Sequence, residues 1–295
     1  MMDDAGQRFR HDDLDLDSAR VHVVQVGAPD AAPVVFLHGF PESWREWRAV
    51  MAAAARDGYR AVALDLPGVG GSRPTTQRPV PVSKAQIAAT VHELVDALGL
   101  TDVTLVGHDI GGMVVYAYLR RYPELARAVI MDIVLPGVPP WEDFVRQPFL
   151  WHFAFHAIPQ LPESLVQGRQ REYFDYFYDV LAADPAAVTA EMRAAYADAY
   201  GSDAALSSAF GWFRAFAEDV EHNRRAAAQC PPVATPLLYM RGEHERSGSI
   251  DSYVAGLRGV GLASVEPALV PNAGHFPPEE APEPTWRLIR QFVET

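Results

Sequence analysis

The spacing of apolar and polar positions changes several times along the chain. Arg20–Gly27 (RVHVVQVG) and Ala32–Gly39 (APVVFLHG) are short β-branched runs that stop at glycine, which predicts two strands. Tyr59–Ser72 (YRAVALDLPGVGGS) predicts a third, running into a glycine-rich loop. The period then lengthens. In Ser83–Leu100 the residues Ile87, Val91, Leu94, Val95 and Leu98 fall on one helical face, with Ser83 placed at the N-terminus. Asp102–His108 (DVTLVGH) and Arg127–Val134 (RAVIMDIV) read as buried strands. Strands alternating with helices in this way predict an α/β fold, with a mostly parallel sheet covered on both faces.

From Leu135 the pattern is different. Prolines cluster in Leu135–Trp141, and an aromatic-rich helical stretch without a strand pattern follows to about Ala228. Sheet character returns at Thr235–Gly242 and Ser264–Phe276, and a last helix runs to Phe292. The expected organisation is a core at 1–134 and 231–295 with a helical cap, 135–230, inserted into it. Long insertions at the C-terminal edge of such a sheet carry or cover the site.

Composition narrows the function classes. The 295 residues are 49% hydrophobic and 21% charged, enough for a large core and a smaller subdomain. A net charge of −13 disfavours nucleic acid and anionic membranes as partners. One cysteine, Cys230, excludes an internal disulfide framework. No apolar run is long enough to span a bilayer. The acidic start, MMDDAGQRFRHDDLDLD, has no signal-sequence character and reads as a solvated tail, with His11–Asp13 a solvated cluster rather than a metal site. No Cys/His pair has zinc spacing and no phosphate-binding loop is present. The expectation is a cytoplasmic protein that uses neither metal nor organic cofactor; a homodimer is compatible with it.

The chemistry gathers at VGHDIGG, Val106–Gly112. With serine at its centre, G-x-S-x-G is the sharp strand-to-helix turn that presents the nucleophile of esterases and lipases. Here the central residue is Asp109, flanked by Gly107, Gly111 and Gly112. At the start of a helix its carboxylate is favoured in the ionised form. Attack by a carboxylate on an ester carbonyl would give a labile anhydride. Attack on an sp³ carbon bearing a leaving group gives an alkyl-enzyme ester, which a base-activated water must then hydrolyse. The plainer alternative is an ordinary helix-capping aspartate. The base is His275, in NAGHFPPEEAP, after a strand. Two acids compete to orient it: Asp132, at an apolar strand end where an acid needs a partner, is favoured; Glu243, in the charged run RGEHER, is second. After the strand that ends at FLHG, the backbone N–H of Phe40, with that of Ile110, forms the expected oxyanion hole.

Taken together, HGFPESW, DLPGVGGS, GHDIGG and AGHFPPEEAP resemble the α/β-hydrolase superfamily from about residue 20 onward, and within it the aspartate-nucleophile branch of epoxide hydrolases and hydrolytic dehalogenases. The resemblance implies an α/β-hydrolase fold and opening of an epoxide to a vicinal diol. Haloalkane dehalogenases usually carry side-chain N–H donors at the positions of Phe40 and Ile110, and fluoroacetate dehalogenases place arginines where Ile110 and Met113 stand, so neither substrate is implied. Epoxide hydrolases commonly assist the leaving oxygen with two cap tyrosines. The first position here matches His152, similar to a bacterial subset; the second is Phe213, which cannot donate. Trp151 or Trp212 is the expected substitute, and Trp151, Trp212, Phe213, Phe153 and Phe40 are the expected substrate-binding residues. These aromatics suggest a small apolar or aromatic epoxide, with water as co-substrate. The competing readings are a hydrolytic dehalogenase with the same Asp/His machinery and a non-catalytic binding protein on the same fold.

Overall fold

One sheet organises the chain in the structure, a computed structural model that describes residues 8–75, 80–122, 124–246 and 248–295. Its strands are β1 (Arg10–Asp15), β2 (Ala19–Val26), β3 (Pro33–Leu37), β4 (Arg60–Leu64), β5 (Arg73–Pro74), β6 (Thr104–His108), β7 (Arg127–Met131), β8 (Leu237–Gly242) and β9 (Val265–Val270). They lie in the order β1-β2-β4-β3-β6-β7-β8-β9, with β5 on the edge of β2. From β4 to β9 all neighbours are parallel; β1, β2 and β5 pair antiparallel. The central strands β3, β4, β6 and β7 are buried almost end to end. This is why they read as continuous apolar runs: both faces are covered by helices.

The expected acidic tail is partly a strand. Residues 1–7 of that stretch lie outside the described residues, but Arg10–Asp15 pairs with β2 along its length, His11 opposite Val24. Its charges sit on an edge strand, where they discourage pairing with a further chain. The His11 Nδ1 lies 3.0 Å from His22 Nε2.

Helices α1 (Arg48–Arg56), α2 (Lys84–Ala97) and α3 (Ile110–Arg121) connect the first parallel strands. Gln86 Oε1 accepts from the Ser83 backbone N–H at 3.3 Å, which fastens the expected start of α2. Between β7 and β8 the chain forms α4 (Trp141–Phe144), α5 (Trp151–Ala157), α6 (Leu161–Val166), α7 (Gln170–Leu181), α8 (Ala190–Ala199), α9 (Asp203–Arg214) and α10 (Phe216–Gln229). The C-terminal helices are α11 (Ile250–Gly259), α12 (Pro277–Glu280) and α13 (Pro282–Val293). The strand β3 lies between β4 and β6, so the chain leaves it in one direction and returns on the other side. The resulting crevice at the carboxyl ends of the strands is where ligands bind in open α/β sheets.

The inserted helices are tied to the core beside that crevice. Tyr178 of α7 donates to Pro41 O at 2.8 Å and Tyr200 donates to Glu42 O at 2.7 Å. Lys84 Nζ lies 2.9 Å from Asp219 Oδ2 of α10, both side chains almost wholly buried. The same ammonium donates to Trp212 O and sits 4.3 Å from the centre of the Phe216 ring. Removing one partner strands a buried charge. Lys84→Met is therefore expected to cost about 3–5 kcal/mol in denaturant unfolding, with much of the loss recovered in Lys84→Met/Asp219→Leu. A single variant within about 1 kcal/mol of the parent would show that this pair does not hold the helices down.

Candidate active site

Asp109 sits between β6 and α3 at φ +47°, ψ −119°. For a residue with a Cβ this is strained backbone, and it persists only where the surroundings enforce it. Two glycines allow it. A Cβ on Gly111 would fall 2.2 Å from Leu37 O, and one on Gly107 would fall 2.3 Å from Gly111 O, so the start of α3 rests directly on β3 and β6. The Asp109 side chain makes no capping bond to its own helix. This excludes the capping alternative. Instead Oδ1 accepts the Phe40 N–H at 2.9 Å. Oδ2 lies 3.9 Å from His275 Nε2. Ile110 opens α3, so its N–H belongs to the first turn, whose donors have no partner within the helix.

His275 is held through its backbone. Its N–H donates to Leu181 O at 3.0 Å, and its carbonyl accepts from His108 Nε2 at 2.7 Å. His108 is itself wholly buried, with Nδ1 3.1 Å from Glu42 and 3.3 Å from Glu46. Burial alone would lower the His108 pKa, but the two glutamates raise it well above the usual value. Burial and the charge of Glu42 push Glu46 up, whereas bonds from Glu46 and His108 outweigh burial at Glu42 and leave it lowered. Of the two acids, Glu42 is thus the one that ionises more readily beside His108. None of these three residues was expected from the sequence, although GHD and PESWRE contain them.

The acid facing His275 differs from both expectations in part. Nδ1 lies 3.4 Å from Glu245 Oε2. Glu243, the second candidate, turns away and accepts from the Asn272 N–H at 3.1 Å. The reason is local: Glu243 is in the turn after β8, and the chain needs two more residues to fold back over the sheet edge. Asp132, the favoured candidate, is in the cluster but not in direct contact. Acceptor and ring atoms of Asp132, Glu245 and His275 all lie within 4.8 Å of one another. Both Asp132 oxygens accept from the Gly242 N–H, at 3.0 and 3.2 Å. Burial, then the charge of Glu245, raises Asp132 to about 7. Burial would lower His275, but the Glu245 bond and the charges of Glu245 and Asp109 more than offset this and raise it.

A cavity of about 40 Å³ opens over these groups, with Asp109, Asp132, His152, Arg241, Glu245 and His275 in its wall. Phe153, Phe149, Leu150, Ile133 and Leu181 supply apolar lining. His152 is buried at its edge with no partner for Nδ1 among the described residues. Burial and His275 push it down to about 3, so it is a neutral imidazole at pH 7. The other expected cap residues are placed differently. Trp151 is 39% exposed and donates to Tyr176 at 3.2 Å, on the outer face. Trp212 is buried with Nε1 unpartnered among the described residues, but neither it nor Phe213 lines the cavity. Phe213 packs edge-on to Phe40, ring centres 5.2 Å apart, and Phe40 is packed against α7 and α9 aromatics rather than lining the cavity. A pattern of aromatics cannot tell packing from lining, because both need the same side chains. Of the five expected substrate-binding residues, only Phe153 is in the wall.

Among the described residues no helix is long and apolar enough to cross a membrane. Because Asp132 binds a proton in the folded chain up to about pH 7, against an ordinary 3.8 when unfolded, native stability falls as pH rises across that window. Asp132→Asn keeps an acceptor for Gly242 and removes the titration. Its melting temperature relative to the parent is expected to rise between pH 4 and pH 8. A difference that stays constant with pH would contradict this placement of the carboxyl.

A family model described as alpha/beta hydrolase fold matches residues 32–282. A soluble epoxide hydrolase of Corynebacterium sp. (strain C12) is 28% identical over 284 residues, covering 92% of this chain and 93% of that one. The crystal structure of Cfl2 from Burkholderia cenocepacia is 33% identical and superposes with a TM-score of 0.85, covering 97% of this chain and 96% of that one. The epoxide hydrolase CorEH is 27% identical with a TM-score of 0.85 over 97% of this chain and 99% of that one. With the strand order, the elbow at Asp109 and a family match over most of its length, this chain belongs to the α/β-hydrolase fold family.

Proposed function

We propose that this protein hydrolyses an apolar epoxide to a vicinal diol through an alkyl-enzyme ester on Asp109. The observation that carries the reading is the division of labour at that carboxylate: Oδ1 is held by the Phe40 N–H, and Oδ2 faces His275 and the cavity. Relatives named as epoxide hydrolases along nearly the whole chain support the leaving group. In the first step Asp109 Oδ2 attacks a ring carbon, the C–O bond breaks, and the ring oxygen leaves as an alkoxide hydrogen-bonded by His152. In the second, His275 Nε2 takes a proton from water, and the hydroxide attacks the ester carbonyl carbon. The developing oxyanion is Oδ1, already bonded to Phe40 N–H and next to the first turn of α3. The tetrahedral intermediate collapses with cleavage of the bond between the carboxyl carbon and the ester oxygen. That oxygen takes the proton from His275, and the proton left on the Asp109 carboxyl passes to the first alkoxide, so the diol departs and Asp109 is again a carboxylate.

His152 is neutral, so it assists by donating one N–H rather than as a cation. With Phe213 in the second donor position, assistance is weaker than from two tyrosines. Epoxides whose ring carbon is activated by an adjacent aryl group therefore suit this site best. The 3.9 Å separation of Asp109 and His275 weighs against a non-catalytic binding protein.

His275→Gln should trap the ester. Incubated with aryl and alkyl epoxides and alkyl halides, then weighed intact, it is expected to gain the mass of a whole epoxide, mapped to Asp109. Gain of an alkyl group from halides alone would replace this reading with a hydrolytic dehalogenase, and an adduct on another residue would refute the nucleophile. His152→Phe is expected to slow ester formation by about 10- to 10²-fold, as for loss of one hydrogen bond to a charged oxygen, while leaving ester decay unchanged in single-turnover traces. Unaltered formation would remove His152 from the mechanism.

A further inference from the structure

We infer that Asp132 and Glu245, bridged by Arg241, act together as a divided counter-ion for His275: Glu245 orients the ring, and the two acids share the negative charge that supports its imidazolium, so that the loss is greatest when both are removed. This rests on His275 being the base of the proposed reaction.

The two acids come from different strands. Glu245 follows β8 and faces Nδ1; Asp132 directly follows β7 at φ +46°, a backbone conformation that costs energy outside glycine. One orienting acid would need neither the second carboxylate nor a buried cation. Arg241, 2% exposed, is that cation: Nε lies 3.8 Å from Asp132 Oδ1 and Nη2 lies 3.7 Å from Glu245 Oε1. Two carboxylates this close in dry surroundings repel each other, and the guanidinium between them makes their joint ionisation tolerable. Together the three carry one net negative charge when both acids are ionised. The imidazolium formed when His275 accepts the proton of water cancels it, so the cluster is neutral at the moment the hydroxide attacks. The Nδ1–H stays on the ring throughout, shared with Glu245.

The remaining titratable groups facing the cluster are Asp109 from the elbow, His108 from β6, Tyr239 from β8, Tyr253 from α11 and His152 from the inserted helices. Asp109 adds to the field that raises His275, and His108 opposes it. Asp132, raised to about 7 by burial and Glu245 and pulled back by His275, is the acid whose ionisation follows protonation of the base. A role confined to holding Gly242 would not need its charge, since an amide oxygen accepts the same bond.

The test uses the full chain with ¹⁵N-labelled histidine. His275 is titrated by NMR in the parent, Asp132→Asn, Glu245→Gln and the double variant, a readout independent of turnover. Each single variant is expected to lower the His275 pKa by about one unit, and the double variant by more than either. In parallel, decay of the Asp109 ester in single-turnover experiments should slow about tenfold in each single variant and about 10³-fold in the double, towards the loss seen when a triad acid is removed outright. A His275 titration that is unchanged in Asp132→Asn overturns the proposal, because Asp132 is then only a brace for Gly242. A Glu245→Gln variant as slow and as shifted as the double overturns it too. Should the double variant not fold, the two single variants decide: both must lower the His275 pKa. An enzyme that forms no ester from any epoxide, yet shows these shifts, refutes the proposed reaction and leaves the divided counter-ion standing.

Discussion

The tight contact between the start of α3 and strands β3 and β6 is the constraint on which the rest depends. It forces the backbone at Asp109 into a left-handed conformation and leaves no room for a Cβ at Gly107 or Gly111. The strained turn lifts the carboxylate clear of its own helix, so it cannot be spent on capping. It also brings the end of β3 close enough for the Phe40 N–H to reach Oδ1. One close approach therefore delivers a carboxylate, an amide donor beside it and an open oxygen facing the cavity.

Buried polar groups under the sheet edge convert that turn into a site with fixed geometry. His108, immediately before Asp109, donates to the carbonyl of His275, 167 residues away in sequence. It is flanked by Glu42 and Glu46, which come from the same segment as the Phe40 amide. Asp109, the Phe40 amide and His275 are thus fastened to one another by a network in low dielectric, where each satisfied bond is strong and an unsatisfied one costly. The inserted helices join the same network. Tyr178 and Tyr200 hold the Pro41–Glu42 backbone, and the Leu181 carbonyl receives the His275 N–H. Glu280 in turn accepts from the Ala183 and Asp184 amides just after α7 and from Gly274 and Phe276 on either side of His275. Hydrogen bonds therefore tie the helices over the cavity to the loop carrying His275.

Much of this was legible in the sequence because the signals are local. Continuous apolar runs marked the buried parallel strands, and helical spacing marked α2. Asp109 between glycines, and His275 after a strand and before a proline-rich helix start, gave away their positions through backbone demands that few residue types meet. The strand at Arg10–Asp15 was missed because its charges look the same on a sheet edge as on a solvated tail. Trp151, Trp212 and Phe213 were misplaced because aromatic content does not report which side of a helix meets the cavity.

By itself, then, the sequence determined the central parallel strands and the order along the chain of the elbow carboxylate, the Asp132 carboxyl and His275. These follow from backbone conformation and residue chemistry, which act over a few neighbouring positions. Only the tertiary structure decided which acids stand behind His275. Glu243 and Glu245 differ by two residues in one charged run, and the turn after β8 alone sends one to Asn272 and the other to His275. Asp132 and Arg241 join them from neighbouring parallel strands. Whether a charge is buried beside another charge is a property of packing across the sheet, and no spacing along the chain encodes it.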